Sequence, residues 1–208
     1  MKDSGRPGPI EITRAGPDRL GILAPLFGHA FVDDPMMGWT LGEPPRSPDR
    51  YIPCFAAFLE RALPHGVVWE GTAHGDAGTA VGAAVWIPPG RFEKWADHPW
   101  NQPRILELTD DGGRRYDRFW QWVDEHSPTE PAWLLDSVAV EPAVQGRGFG
   151  SALITAGLDR ARTDGQGAYL STGTERNVTI YERLGFRVVK AIDAPDQGPR
   201  IWFMRSKP

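Results

Sequence analysis

The chain has 208 residues, 40% hydrophobic and 24% charged, with 24 glycines and 20 prolines; at about 150 residues per domain and with Gly plus Pro below the roughly 25–30% that marks low complexity, this reads as one folded domain. Its 23 basic against 27 acidic side chains leave a net charge of −4, which gives no electrostatic footprint for nucleic acid and mildly favours a cationic small molecule. The longest charge-free run, Ala77 to Gly90, is too short to span a membrane, the polar amino terminus has no apolar signal core, and the single cysteine, Cys54, excludes an internal disulfide or multi-thiolate zinc, so a cytoplasmic protein is expected.

Ile10 and Ile12 alternate with polar neighbours and predict a strand. Pro17-Asp18 opens a helical segment with Leu20, Leu23, Phe27 and Ala30 in phase, which Pro25 is expected to kink or shorten. A second helix runs from Asp49 to Leu63 and stops at Pro64-His65-Gly66. Val67–Trp69 and Ala80–Ile87, around the turn-rich His74-Gly75-Asp76-Ala77-Gly78, predict a hairpin. From Arg91 to His126, Trp95, Trp100, Trp120 and Trp122 sit among many charges, and Tyr116, Trp120 and Val123 share a helix face. This stretch reads as a helical insertion peripheral to the sheet, whose tryptophans either line an acceptor pocket or pack a lid. Trp133–Val140 is the clearest strand. A glycine-rich turn follows, then a helix with Phe149, Leu153, Leu158 and Ala161 on its buried face. A short strand at Ala168–Thr172, a helix from Arg176 to Leu184 closed by Gly185, and strands near 186–192 and 200–205 complete the chain.

The turn Gln145-Gly146-Arg147-Gly148-Phe149-Gly150 lies between a buried strand and a helix start. Its backbone N–H groups converge where an anion such as a phosphate binds. A P-loop requires Lys and then Ser or Thr after its last glycine, and Ser151-Ala152 follow here instead. The dinucleotide fingerprint G-x-G-x-x-G is not met either, since the spacing is G-x-G-x-G and the next strand ends at Ser171-Thr172. A third pattern, Q/R-x-x-G-x-G/A, is met by Gln145, Gly148 and Gly150. Downstream, Arg176-Asn177 precedes Tyr181-Glu182-Arg183-Leu184-Gly185-Phe186, with Asn177 and Tyr181 four apart on one helix face.

Together these motifs resemble the GNAT acetyltransferases. From Glu130 to Pro208 the chain is similar to the puromycin N-acetyltransferases, through Glu130-Pro131-Ala132-Trp133, Gln145-Gly146, Gly150-Ser151-Ala152, Arg176-Asn177, Tyr181 to Phe186 and Gly198-Pro199-Arg200. The resemblance implies a single-domain α/β GNAT fold, a mixed central sheet flanked by helices. It also implies that Val138-Ala139-Val140 splays from the next strand so that the pantetheine arm of acetyl-CoA pairs with its backbone. The pyrophosphate would rest on the amides of Gln145, Gly146, Arg147, Gly148, Phe149, Gly150 and Ser151. Asn177 would bond the cofactor arm or its own helix turn. Tyr181 is the candidate general acid, a phenol able to protonate a leaving thiolate, against the alternative of a packed aromatic.

The base is unsettled, because the puromycin enzymes carry Glu where this chain has Ser171, and a serine serves at most to place a hydrogen bond or water. Strand alternation sets Asp136 on one face with Leu134, Val138 and Val140, where it could accept a proton through water or be a buried ion-pair partner. Asp33 and Asp34 either bind the acceptor's ammonium or cap a turn before Pro35. His29, His65, His74, His98 and His126 show no ligand spacing, so no metal is expected, and Cys54 reads as packing. The expected function is acetyl transfer from acetyl-CoA to a small-molecule amine, an antibiotic-like compound among the candidates, with no nucleic acid or membrane partner and a homodimer left open. A protein-amine acetyltransferase and a non-catalytic acyl-CoA sensor are the alternatives.

Overall fold

A computed structural model describes residues 10–42, 46–73, 79–92 and 95–208. Strands β1 (Ile10–Arg14), β2 (Val67–Ala73), β3 (Ala80–Ile87), β4 (Trp133–Val140), β5 (Ala168–Thr172), β6 (Arg187–Asp193) and β7 (Arg200–Ser206) form one sheet. Their spatial order is β1-β2-β3-β4-β5-β7-β6. Every neighbouring pair is antiparallel except β4 and β5, which run parallel. The expected hairpin is β2–β3, although its turn at residues 74–78 lies outside the described residues.

The sequence of β3, AVGAAVWI, is apolar without alternation because both of its faces are covered. On one face lie α1 (Leu20–Ala30) and α3 (Pro48–His65), whose Phe27, Phe55 and Phe58 pack with Ala83 and Val85. On the other lies α6 (Phe149–Thr163), whose Leu153 and Leu158 pack with Trp86. A Cβ on Gly157 would sit 2.0 Å from the Trp86 ring, so glycine is what lets the fully buried indole lie against this helix. Two short helices, α2 (Pro35–Leu41) and α4 (Pro103–Leu106), together with α5 (Arg114–His126) and α7 (Glu175–Arg183), complete the fold.

Pro25, expected to kink or shorten its helix, does not end α1, which continues to Ala30. The proline forfeits one helical hydrogen bond, but Leu23, Ala24, Leu26 and Phe27 are buried around it, and that burial outweighs the loss. Nor is the segment from Arg91 to His126 peripheral. Trp100 is 3% exposed and stacks on Phe58, ring centroids 4.1 Å apart and 12° from parallel, while Tyr116 and Phe119 of α5 are fully buried. The many charges of this segment lie on its outer face and mask an apolar inner one that completes the core.

Among the described residues no helix is long and apolar enough to cross a membrane.

Candidate active site

β4 and β5 pair only at Trp133↔Ala168 and Leu134↔Tyr169, and beyond Leu134 they diverge. The divergence has a local cause. Opposite β3, Val85 pairs with Ser137 and Trp86 with Leu135, so β4 carries one extra residue, Asp136, as a bulge. A bulge bends its strand and re-aims a side chain. Here it opens the sheet into a cleft of about 500 Å³ and sets Asp136 on the wall.

Past the bulge, the Glu141 N–H donates to the Val81 carbonyl at 3.0 Å, which turns Glu141 toward β3. Alternation then turns Ala139 the same way and leaves the main-chain groups of Val138 and Val140 at the open edge. Of the three residues expected to pair with a ligand arm, Ala139 is therefore corrected: its backbone belongs to β3. The Val140 carbonyl also accepts from the Gln145 side-chain amide at 3.1 Å, so Gln145 straps the strand end.

At that end the glycine turn leads into α6. Gly146 and Gly148 have φ of 77° and 87°, a region that glycine occupies without strain. Among the described residues, none of the main-chain amides from Gly146 to Ser151 finds an acceptor within the protein. Gly146, Arg147 and Gly148 are exposed, and the Phe149 ring is buried, so Phe149 can offer only its amide to a ligand. The turn contains no acidic side chain to compete for these donors, and it fits a diphosphate on chemistry alone.

Across the cleft, Ser171, Asn177 and Tyr181 all line the wall. Burial, with the Asp34 charge in support, pushes the Tyr181 phenol well above its ordinary value and keeps it protonated. Asp136 is 5% exposed. Burial pushes its carboxyl up to about 7, against the pull of a hydrogen bond that the Trp100 indole N–H donates to Oδ2 at 3.2 Å.

Asp34 also touches the cleft, but its Oδ1 accepts from the Met37 amide at 2.9 Å as the N-cap of α2. Asp33 is corrected. It is exposed and absent from the wall, because the inward cap at Asp34 sends its neighbour outward. Sequence reasoning missed His98, set aside for want of a ligand spacing, and Trp100 as a partner of Asp136. Only the fold brings residues 98 and 100 to residue 136. The acceptor side of the cleft is aromatic, with Phe31, Phe92, Trp100 and Trp120. Among the described residues no cluster of His, Cys, Asp or Glu could hold a metal ion.

Residues 109–188 match the family model of the acetyltransferase (GNAT) domain, a span that runs from the approach to α5 through the glycine turn and α7 into β6. Over nearly the whole chain the fold matches the Corynebacterium glutamicum structure of histone acetyltransferase HPA2 and related acetyltransferase, with a TM-score of 0.73, 23% identity and 96% of each chain covered. Residues 109–188 thus match the GNAT acetyltransferase domain, and the whole chain shares the fold of these proteins. A Drosophila melanogaster polyamine N acetyltransferase shares the fold at a TM-score of 0.66 and 16% identity, over 96% of this chain and all of that one. The Salmonella typhimurium protein yncA, solved with its cofactor acetyl-CoA, shares it at 0.54 and 17%, over 96% and 94%.

Among curated relatives, a mycothiol acetyltransferase from Mycobacteroides abscessus is 31% identical over 106 residues, which span 50% of this chain and 36% of that protein. A second, from Salinispora tropica, is 25% identical and is covered over 62% of its length.

Proposed function

We propose that the protein is an acetyl-CoA-dependent N-acetyltransferase acting on a small-molecule amine. The observation that carries this reading is that one cleft holds a protonated phenol and a buried carboxylate whose proton affinity lies near neutrality, and that β4, which borders it at Val138, leads into the open amides at the start of α6. The aromatic enclosure supports an amine of small-molecule size over a protein chain, which would call for a broad open groove. The similarity of the last third to puromycin N-acetyltransferases adds the same preference. The presence of Asp136 and Tyr181 on the wall of one cleft supports a catalyst over a sensor.

Bound acetyl-CoA supplies an acyl carbon activated by its thioester. The amides from Gly146 to Ser151 hold its diphosphate, and the free edge at Val138 and Val140 aligns its arm. Asp136, as carboxylate, takes a proton from the acceptor's ammonium, directly or through one water, and so frees the nitrogen lone pair. As the new N–C bond forms and the C–S bond breaks, the Tyr181 hydroxyl would give its proton to the departing sulfur, the acylated nitrogen would shed its second proton to solvent, and solvent would reprotonate the phenol. Ser171 and Asn177 contribute hydrogen bonds along the β5 side.

The test is incubation with acetyl-CoA and a panel of primary amines, read by mass spectrometry. A gain of one acetyl group on a small amine is expected. Tight coenzyme A binding with no product from any amine would overturn the reading in favour of a sensor.

A further inference from the structure

His98 has no place in the motifs of the chain, yet it lines the cleft beside the buried carboxylate. Its Nε2 is 3.8 Å from Oδ1 of Asp136, and its side chain is 8% exposed. The contact is not an ion pair, because burial, with the Arg61 charge in support, pushes the imidazole down to about 3. Which ring nitrogen holds the proton follows from the hydrogen bonds. The Trp100 main-chain N–H points at Nδ1 from 3.3 Å, so Nδ1 is the acceptor and the single proton of the neutral ring is on Nε2, facing Asp136.

The surroundings fix this arrangement. The His98 amide donates to the Trp95 carbonyl at 3.1 Å, and its carbonyl accepts from the Asn101 amide at 2.9 Å. The Trp95 ring stacks on the imidazole, centroids 5.6 Å apart, and the Tyr116 hydroxyl of α5 donates to the Trp100 carbonyl at 3.2 Å. One residue thus touches both members of the pair, because Trp100 sends its amide to His98 and its indole N–H to Asp136.

We propose that His98 is a positioning residue for acetyl transfer: fixed by the Trp100 amide, it turns an N–H toward one oxygen of Asp136 while the Trp100 indole holds the other, so that the helical insertion orients the base. This rests on the reading of Asp136 as the base. The Trp100 indole N–H is hydrogen-bonded to the carboxylate and the His98 N–H faces its other oxygen from 3.8 Å, and a donor dipole directed at a carboxylate favours its charged form. The other titratable groups about the pair are Arg61 of α3 beside the imidazole, and Tyr116 of α5 and Tyr169 of β5 beside the carboxylate, with Cys54 near Tyr116 and Asp124 near Tyr169. Arg91, Asp34 and Tyr181 lie elsewhere on the cleft wall.

The experiment compares the pH dependence of kcat/KM for the wild type, His98→Leu, His98→Gln and Asp136→Asn. Leucine removes the donor, and the rising limb should move up by about one pH unit. Glutamine keeps an N–H at the same reach and should return the limb to its wild-type position. A limb unmoved in His98→Leu, or moved equally by both substitutions, shows a packing role and overturns the proposal. A wild-type limb that persists in Asp136→Asn removes the base itself, and with it both readings.

Nitrogen NMR of the wild-type imidazole gives a second readout that does not depend on the folding of His98→Leu. A neutral ring protonated on Nε2 from pH 5 to 9 is expected. A proton on Nδ1, or titration near the ordinary histidine value, overturns the proposal.

Discussion

The two walls of the cleft are made of different material. The side proposed for the thioester ligand is mostly main chain: a bulged strand edge that leads into a glycine turn and the first amides of α6. The opposite wall is mostly side chains, Phe31, Phe92, His98, Trp100 and Trp120, gathered from segments far apart in sequence. Main-chain recognition needs a particular backbone path but few particular side chains, so it leaves a compact signature of glycines. Side-chain recognition leaves residues whose meaning depends on what the fold sets beside them. On the proposed function the first would serve a ligand common to many enzymes and the second an acceptor particular to one, and substitutions on the two should fail differently.

The largest effect is expected on the backbone wall. Gly148→Asp places a Cβ at φ 87° and a carboxylate among donors meant for phosphate. Coenzyme A affinity should fall by about 100-fold or more, as two lost charge-assisted hydrogen bonds at about 1.5 kcal/mol each suffice for that. Calorimetry should show the loss while circular dichroism shows the fold retained. Undiminished affinity would remove the anion site and, with it, the contrast between the walls.

Next comes Asp136→Asn, expected to lower turnover by about 100-fold or more with coenzyme A affinity unchanged, and to erase the rise in rate as pH passes through about 7. The same substitution has a stability consequence of opposite sign. The folded carboxyl binds its proton more tightly than an unfolded one, so the favourable state is the protonated one. The stability tied to it is whole below about 4 and is lost as pH rises through about 7. At pH 8 the asparagine variant should therefore melt higher than wild type, with the gap closing toward pH 4. A melting temperature lowered equally at both pH values would mean that Asp136 holds the cleft together rather than burdening it. Tyr181→Phe should cost about tenfold in turnover and leave coenzyme A binding intact, and equal turnover would remove the phenol from the reaction.

The same contrast governs what could be read in the sequence. Each strand and the four longer helices follow from periodicity and punctuation, and the glycine turn with Asn177 and Tyr181 follows from spacing, because their partners are backbone or lie a few residues away. Asp136 could be placed on a face by alternation, but not known as buried, since its burial depends on Trp100 and Tyr169 arriving from elsewhere. The bulge that aims it is invisible in Leu135-Asp136-Ser137, for it exists only as a mismatch of register with Val85 and Trp86. His98 was legible as a residue and not as a neighbour, and Trp100 showed its bulk but not its two donors.

The smallest effects test whether adjacency in sequence means adjacency in the site. Asp33 and Asp34 are consecutive carboxylates, equivalent to any pattern of charge. In the fold Asp34 caps α2 through the Met37 amide and reaches the cleft, while Asp33 faces solvent. Loss of an N-cap costs about 1 kcal/mol, so Asp34→Ala should lower the unfolding free energy by that amount. It should also raise KM for the amine modestly by loosening the turn that carries Met36 and Met37 into the wall. Asp33→Ala should change neither stability beyond about 0.5 kcal/mol nor KM. Denaturant melts and steady-state kinetics on the two variants decide it. A KM effect from Asp33 as large as that from Asp34 would mean that acceptors are drawn in by the charge of the whole turn, and that the side-chain wall extends beyond the residues that line it.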